Sequence, residues 1–301
     1  MKRRLGGTMG RRRADLPEER ANNPGNKAAG SHCDRVGSLP WMQQFSRYTV
    51  GEEICIPSPR KRVPEKRYLQ PAMGVVLSGC FEYRAQNGAA TAVPGTVILG
   101  NRAEYFRCHA RDCVGNRRQV VRFHQDFLND VADSCGLAAA RFQVAAIPPG
   151  RFSGAVFGAM RRLALNKEDH EEAAYELAEA ALHANQSGTG PTTVSVRNQQ
   201  RVLSIVRHLE RYYHQPWPLK SMANLARLSP CYFLRIFRRV TGQSPTQYVM
   251  NARLRAAADD LLTTRAPVSE IALRTGFNDI SHFNASFRSV FGRSPTHWRL
   301  R

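Results

Sequence analysis

The sequence predicts an α+β chain. A β-rich N-terminal half, a small antiparallel barrel or sandwich followed by two helices, precedes an all-α C-terminal half built on a double helix-turn-helix. Three observations carry this. Between residues 45 and 124, short apolar runs are cut by turn signals, the pattern of short antiparallel strands. From residue 151 the apolar period lengthens to three or four residues, as on an amphipathic helix. A twelve-residue string at 237–248 returns fifty residues later at 287–298, with eight of its twelve positions identical or exchanged like for like. A repeat of this length reports one supersecondary unit used twice.

Residues 1–40 are rich in Arg, Gly, Asn and Pro and have no apolar period; they read as a disordered basic tail. Lys2, Arg3, Arg4 and Arg11, Arg12, Arg13 suit phosphate contact, unless translation begins at Met9 or Met42. In the β-rich stretch, Val75, Val76 and Leu77 form one strand and Phe81, Glu82 and Tyr83 the next, with Asn87-Gly88 as a hairpin turn. Pro94-Gly95 introduces a strand over 96–99, and 119–123 gives another. Phe152, Val156, Met160 and Leu163 then mark a helix, and Leu177, Ala181 and Leu182 a second one over 171–183. These two helices can pair with a second copy of the chain or pack on their own sheet. Residues 185–197 read as a linker, Gly- and Thr-rich at their start.

After the linker every segment reads as helix. A helix over 201–213 carries Val202, Ile205, Val206 and Leu209, and Pro216 and Pro218 stop it. A short helix over 219–226 is followed by Ser229 as cap and Pro230 at the first helical position. On the helix so begun, Phe233, Ile236, Phe237 and Val240 make an inward stripe, while Cys231, Leu234, Arg235 and Arg238 make an outward one. The second unit repeats the plan. A short helix over 268–275 ends at Gly276, Asp279 caps the next, Phe283, Phe287 and Val290 point inward, and Ser281, Asn284, Ala285 and Arg288 point outward with His282 at the edge. A joining helix over 246–262 spans roughly 25 Å at 1.5 Å per residue.

The formal charge of +20 is unevenly placed. Residues 197–301 hold 17 Lys+Arg against 5 Asp+Glu, whereas residues 68–196 hold 12 of each. A basic helical half beside a neutral half fits a nucleic-acid module joined to something else. An arginine-bearing face at a helix N-terminus suits the DNA major groove, where arginine forks onto guanine O6 and N7. Two such helices about 34 Å apart would meet successive grooves on one side of a duplex.

The string Ile271, Ala272, Leu273, Arg274, Thr275, Gly276, Phe277, continuing through His282-Phe283 and Phe287-Arg288 to Gly292-Arg293-Ser294-Pro295, resembles the signature of the AraC/XylS family of bacterial transcription regulators. Arg253-Leu254-Arg255-Ala256-Ala257 on the joining helix resembles it too. The resemblance covers residues 198–301. It implies base-reading places for Cys231, Leu234 and Arg235 in the first unit and for Ser281, His282 and Ala285 in the second. Tyr232, Arg238, Asp279, Asn284 and Arg288 stand beside them as candidate DNA contacts. Ala285 departs from the longer polar side chain common there, so it offers only a contact to a thymine methyl. The resemblance further implies that residues 41–184 form a cupin-like β-barrel with a helical dimerisation segment, binding a small-molecule effector. The expected partners are double-stranded promoter DNA, RNA polymerase, that effector and a second copy, with activation as the outcome.

The composition excludes other classes. No run approaches the roughly 18 apolar residues of a membrane span, and the N-terminus lacks a secretory apolar stretch, so a cytoplasmic, nucleoid-associated location is expected. Seven scattered cysteines make no disulfide framework. Cys108, His109 and Cys113 lack a second ligand pair at finger-like spacing. His109 and His124 have no His-x-His partner, so neither a metal nor another cofactor is expected and a cupin-type metal enzyme is disfavoured. A redox sensor acting through Cys80, Cys108 or Cys113 is the remaining alternative.

Overall fold

The computed structural model describes residues 42–55, 65–110, 115–164, 170–184 and 194–299. The basic tail at 1–40, the Gly- and Thr-rich start of the linker and Cys113 lie outside these residues. The described residues all belong to one compact unit within Ser31–Arg301.

The N-terminal half contains strands β1 (Met42–Gln44), β2 (Tyr48–Cys55), β3 (Lys66–Arg67), β4 (Ala72–Ser78), β5 (Phe81–Ala85), β6 (Gly88–Ala92), β7 (Val97–Gly100), β8 (Tyr105–Ala110) and β9 (Asn116–Phe123). Helix α1 (Gln125–Ser134), strand β10 (Ala146–Ile147) and helices α2 (Arg151–Ala164) and α3 (His170–Leu182) follow. The strands form two antiparallel sheets, in the orders β1-β2-β9-β4-β7-β10 and β3-β8-β5-β6. Among the described residues no ladder joins one sheet to the other, so the strands make two open sheets where a closed cupin-like barrel was expected. The chain switches sheets between β4 and β5, next to a register shift in the β4–β9 ladder at Val76/Ser78. An irregularity of this kind bends a strand and increases its twist.

Alternation along the strands decides what each face covers. Met73, Val75, Val97 and Leu99 point to one side of the six-stranded sheet, where they meet Phe127, Leu128, Val131, Val156, Met160 and Leu177 of α1 to α3. Val76 and Ile98 point to the other side and pack against Phe81, Tyr83 and Phe106 of the smaller sheet. The β5–β6 hairpin has Ala85 opposite Gly88, so its two-residue turn is Gln86-Asn87, one position before the Asn87-Gly88 read from the sequence. The apolar faces of α2 and α3, offered above as a dimer surface, are buried inside their own chain at Val156, Met160, Leu163, Leu177, Ala181 and Leu182.

The C-terminal half contains helices α4 (Val196–Tyr212), α5 (Leu219–Leu225), α6 (Pro230–Thr241), α7 (Pro245–Thr263), α8 (Val268–Arg274), α9 (Ile280–Phe291) and α10 (Pro295–Arg299). Val202, Val206, Leu209, Met222, Phe233, Phe237 and Tyr248 form the first core, which Cys80 and Val93 of the N-terminal half join. Phe283, Phe287, Phe291 and Trp298 instead share a core with α2 and the large sheet. The two halves are thus packed together through both helix-turn-helix units. Among the described residues, no helix is long and apolar enough to cross a membrane.

Candidate nucleic-acid interface

The duplicated string is a scaffold device, and each of its residue types has a mechanical role. Phe237 and Tyr248 meet edge to face, with ring centroids 5.7 Å apart at 81°. Phe287 and Trp298 meet at the same 5.7 Å and 81°. Gly242 and Gly292 end α6 and α9 at φ 78° and 74°, left-handed values that cost glycine nothing. Ser244 then starts α7 through a capping box, its hydroxyl accepting from the Gln247 N–H while the Gln247 side chain accepts from the Ser244 N–H. Ser294 repeats the first half of that arrangement with His297. The repeat therefore fastens each outer helix to its successor by an aromatic pair, a left-handed cap and a serine start.

The short helices preceding α6 and α9 also end alike. Leu228 N–H donates to the Ala223 carbonyl and Phe277 N–H to that of Ala272, the six-residue closure of a Schellman turn. These pairs are 49 residues apart, while the outer helices are 50 apart, so the second turn is one residue longer. The left-handed position falls on Arg227 in the first unit, at φ 54°, and on Gly276 in the second, at φ 94°.

On these mounts the outward faces are open. Cys231, Arg235 and Arg238 are exposed on α6, and Leu234 is 39% exposed. Phe233, Ile236, Phe237 and Val240 are buried on the opposite side. Ser281, His282, Asn284, Ala285 and Arg288 are exposed on α9, with Phe283 and Phe287 buried beneath. Arg235, Arg238 and Arg288 form no ion pair with an acidic side chain among the described residues. Ser229 and Pro230 begin α6 as the sequence indicates, but the Ser229 side chain makes no capping hydrogen bond. Asp279 does cap α9, accepting from the N–H groups of Ser281 at 2.7 Å and His282 at 3.1 Å.

Tyr232 sits differently from its neighbours. It is half-buried, its hydroxyl accepts from Asn198 Nδ2 of α4 at 2.8 Å, and its ring lies 5.1 Å beneath the Arg235 guanidinium. Its ring is placed for a cation–π contact with Arg235. Arg227, exposed on the turn just before α6, was not singled out from the sequence; its equivalence to Gly276 appears only once the two turns are aligned in space.

The joining helix carries its arginines inward. Arg255 Nη2 and the Tyr248 hydroxyl both donate to Glu210 Oε1, each at 2.6 Å. Burial, with the Glu210 carboxylate beside it, pushes the Tyr248 hydroxyl well above its ordinary pKa. Burial alone would lower the Arg255 pKa, but Glu210 more than offsets that and the net direction is up. Arg253 donates to the carbonyls of Tyr213 and Gln215, each at 2.8 Å, tying α7 to the end of α4. Both arginines of the joining-helix motif are therefore structural.

Of the cysteines offered as redox sensors, Cys80 is buried and Cys108 half-buried, its sulfur 3.7 Å from Arg118 Nη1.

Residues 222–301 match the family model of a helix-turn-helix domain. The regulatory protein SoxS of Salmonella typhimurium is 32% identical over 104 residues, covering 35% of this chain and 97% of that protein. The regulator AlkR of Acinetobacter baylyi is 29% identical over 91 residues, 30% of either chain. Among solved structures, the DNA-binding domain of AdpA in complex with a target DNA is 29% identical over 33% of this chain and 90% of that one, with a TM-score of 0.33. ToxT of Vibrio cholerae is 10% identical over 86% of this chain and 98% of that one, also at 0.33. With almost the whole of SoxS matched by the segment that holds both helix-turn-helix units, the chain belongs to the AraC/XylS family of bacterial DNA-binding transcription regulators, a family of regulators and not of enzymes.

Proposed function

We propose that this regulator places α6 and α9 in successive major grooves on one side of a promoter duplex. Arg235 would read a guanine, Arg238 and Arg288 would clamp phosphates, and Cys231, Leu234, Ser281, His282, Asn284 and Ala285 would complete the two contact faces. The single observation that carries this is the pair of exposed, arginine-bearing faces held by the same aromatic geometry in both units. The faces are unequal. The outward face of α6 carries Arg235 beside the phosphate-directed Arg238, while that of α9 carries Arg288 and the short Ala285, so the first unit would discriminate more strongly. Asp279 would act through its cap and Tyr232 through Arg235.

The N-terminal half, residues 41–184, would be the sensing half in this reading and 198–301 the DNA-binding half. A cleft of about 200 Å³ supports effector control, because its walls come from both halves: Glu82, Arg84 and Thr91 on the sheet, Gln199 on α4, and Arg239 and Thr241 on α6. Gln199 Nε2 already bridges the halves, donating to Glu82 Oε1 at 3.1 Å and Thr91 Oγ1 at 3.0 Å. A ligand that displaced this bridge would free α4, which shares its core with α6, and DNA bound at α6 would change ligand affinity by the same factor. Activation through RNA polymerase in the cytoplasm is the outcome we assign.

Selection of duplexes from a random pool by the full chain tests the reading. Two enriched sequence blocks about one helical turn apart are expected, the block under α6 being the sharper. A single block, or no enrichment, would overturn it.

A further inference from the structure

We propose that Cys135, Glu179 and His183 form a binding site for a zinc-like divalent cation, joining the end of α1 to the end of α3. The sulfur, a carboxylate oxygen and an imidazole nitrogen of these residues all lie within 4.8 Å of one another. The Cys135 sulfur is 3.7 Å from Glu179 Oε1. In a tetrahedral site with bonds of about 2.0–2.3 Å, ligand atoms stand about 3.3–3.8 Å apart, so small side-chain rotations complete the arrangement. Backbone geometry fixes two of the three ligands on one side. His183 N–H donates to the Glu179 carbonyl at 3.0 Å, which extends α3 by a residue and stacks His183 one turn beyond Glu179. Cys135 is the C-cap residue of α1, brought alongside by the Ser134–Tyr175 hydroxyl pair.

The electrostatics point the same way. Two helix C-termini converge here, each presenting the negative end of its dipole, and neither last turn carries a basic residue. The converging dipoles favour a bound cation. Thiolate, imidazole and one carboxylate select zinc, cobalt or cadmium over magnesium and calcium, which take oxygen ligands. Cys135 and Glu179 are half-buried and His183 is exposed, which leaves a fourth position open to water. The proposal stands independently of the DNA reading. Its consequence is a clamp on α3, the last element before α4 in the described chain.

The test is titration of the reduced, chelator-stripped full chain with cobalt(II), followed by displacement with zinc(II). One cobalt per chain is expected, with thiolate-to-metal charge-transfer absorption in the near ultraviolet. Cys135→Ser abolishes that band, and Glu179→Gln and His183→Ala weaken affinity by at least about tenfold. Cys231→Ser leaves it unchanged. His183→Ala, at an exposed position, decides the matter should Cys135→Ser fail to fold. Absence of the band, its persistence in Cys135→Ser, or undiminished affinity in His183→Ala overturns the proposal.

Discussion

Gly158 on α2 meets the Cη2 edge of the Trp298 indole on α10, so closely that a methyl group on Gly158 would overlap the ring. This glycine lets the N-terminal half seat directly on the second helix-turn-helix unit. Arg162 stacks over the same indole at 5.5 Å, and Arg161 pairs with Asp259 of α7 at 2.8 Å. Gly158→Ala forces the surfaces apart, and we expect it to cost about 1–3 kcal/mol in chemical denaturation of the full chain, as overpacking does. Unchanged stability would show that the halves do not meet this way in solution.

Arg227 and Gly276 hold the same left-handed position in the two turns, but only glycine adopts it without steric cost. Arg227→Gly should raise stability by about 0.5–1 kcal/mol. Gly276→Ala should lower it by more than that, because its new Cβ would stand 2.5 Å from the His214 carbonyl oxygen. Thermal unfolding of both variants checks the pair. A destabilised Arg227→Gly would mean that the Arg227 side chain makes contacts worth more than the backbone strain.

Asp279 separates capping from recognition. Asp279→Ala should cost about 1 kcal/mol of stability through loss of the cap, and Asp279→Ser should restore most of it together with DNA affinity. DNA binding that stays lost in a stable Asp279→Ser protein would instead give the carboxylate a direct role.

Arg238 is assigned to phosphate. Its replacement by alanine should weaken binding to all duplexes alike and reduce the slope of log affinity against log salt by about one. Binding isotherms at several salt concentrations measure this, and a loss confined to one sequence would contradict the assignment.

The helical half was legible in the sequence because its signals are local. Phe233, Phe237, Phe283 and Phe287 recur at helical spacing, and serine, proline and glycine stand where helices start and stop. The repeated string itself reports the mounting of these helices. Of the assigned contacts only Arg238 and Arg288 fall within it, and Cys231, Leu234 and Arg235 lie before it. The hydrogen bond of Tyr232 to Asn198 spans 34 positions and is not encoded by local spacing. The N-terminal half was less legible. Helix α1, with Phe127, Leu128, Val131 and Ala132 buried, went unread. Closure of the sheets depends on long-range pairing that alternation within a strand does not encode. The grouping of Cys135 with Glu179 and His183 likewise arises from tertiary packing, and only the last two share a helical spacing.

The most direct test of the central claim is the affinity of Arg235→Ala for the selected duplex and for its single-base variants, measured by fluorescence anisotropy at fixed salt. The account predicts a loss of about 1–3 kcal/mol on the selected duplex and relaxed discrimination at one base pair under α6. Affinity and base preference unchanged from the parent chain would contradict it.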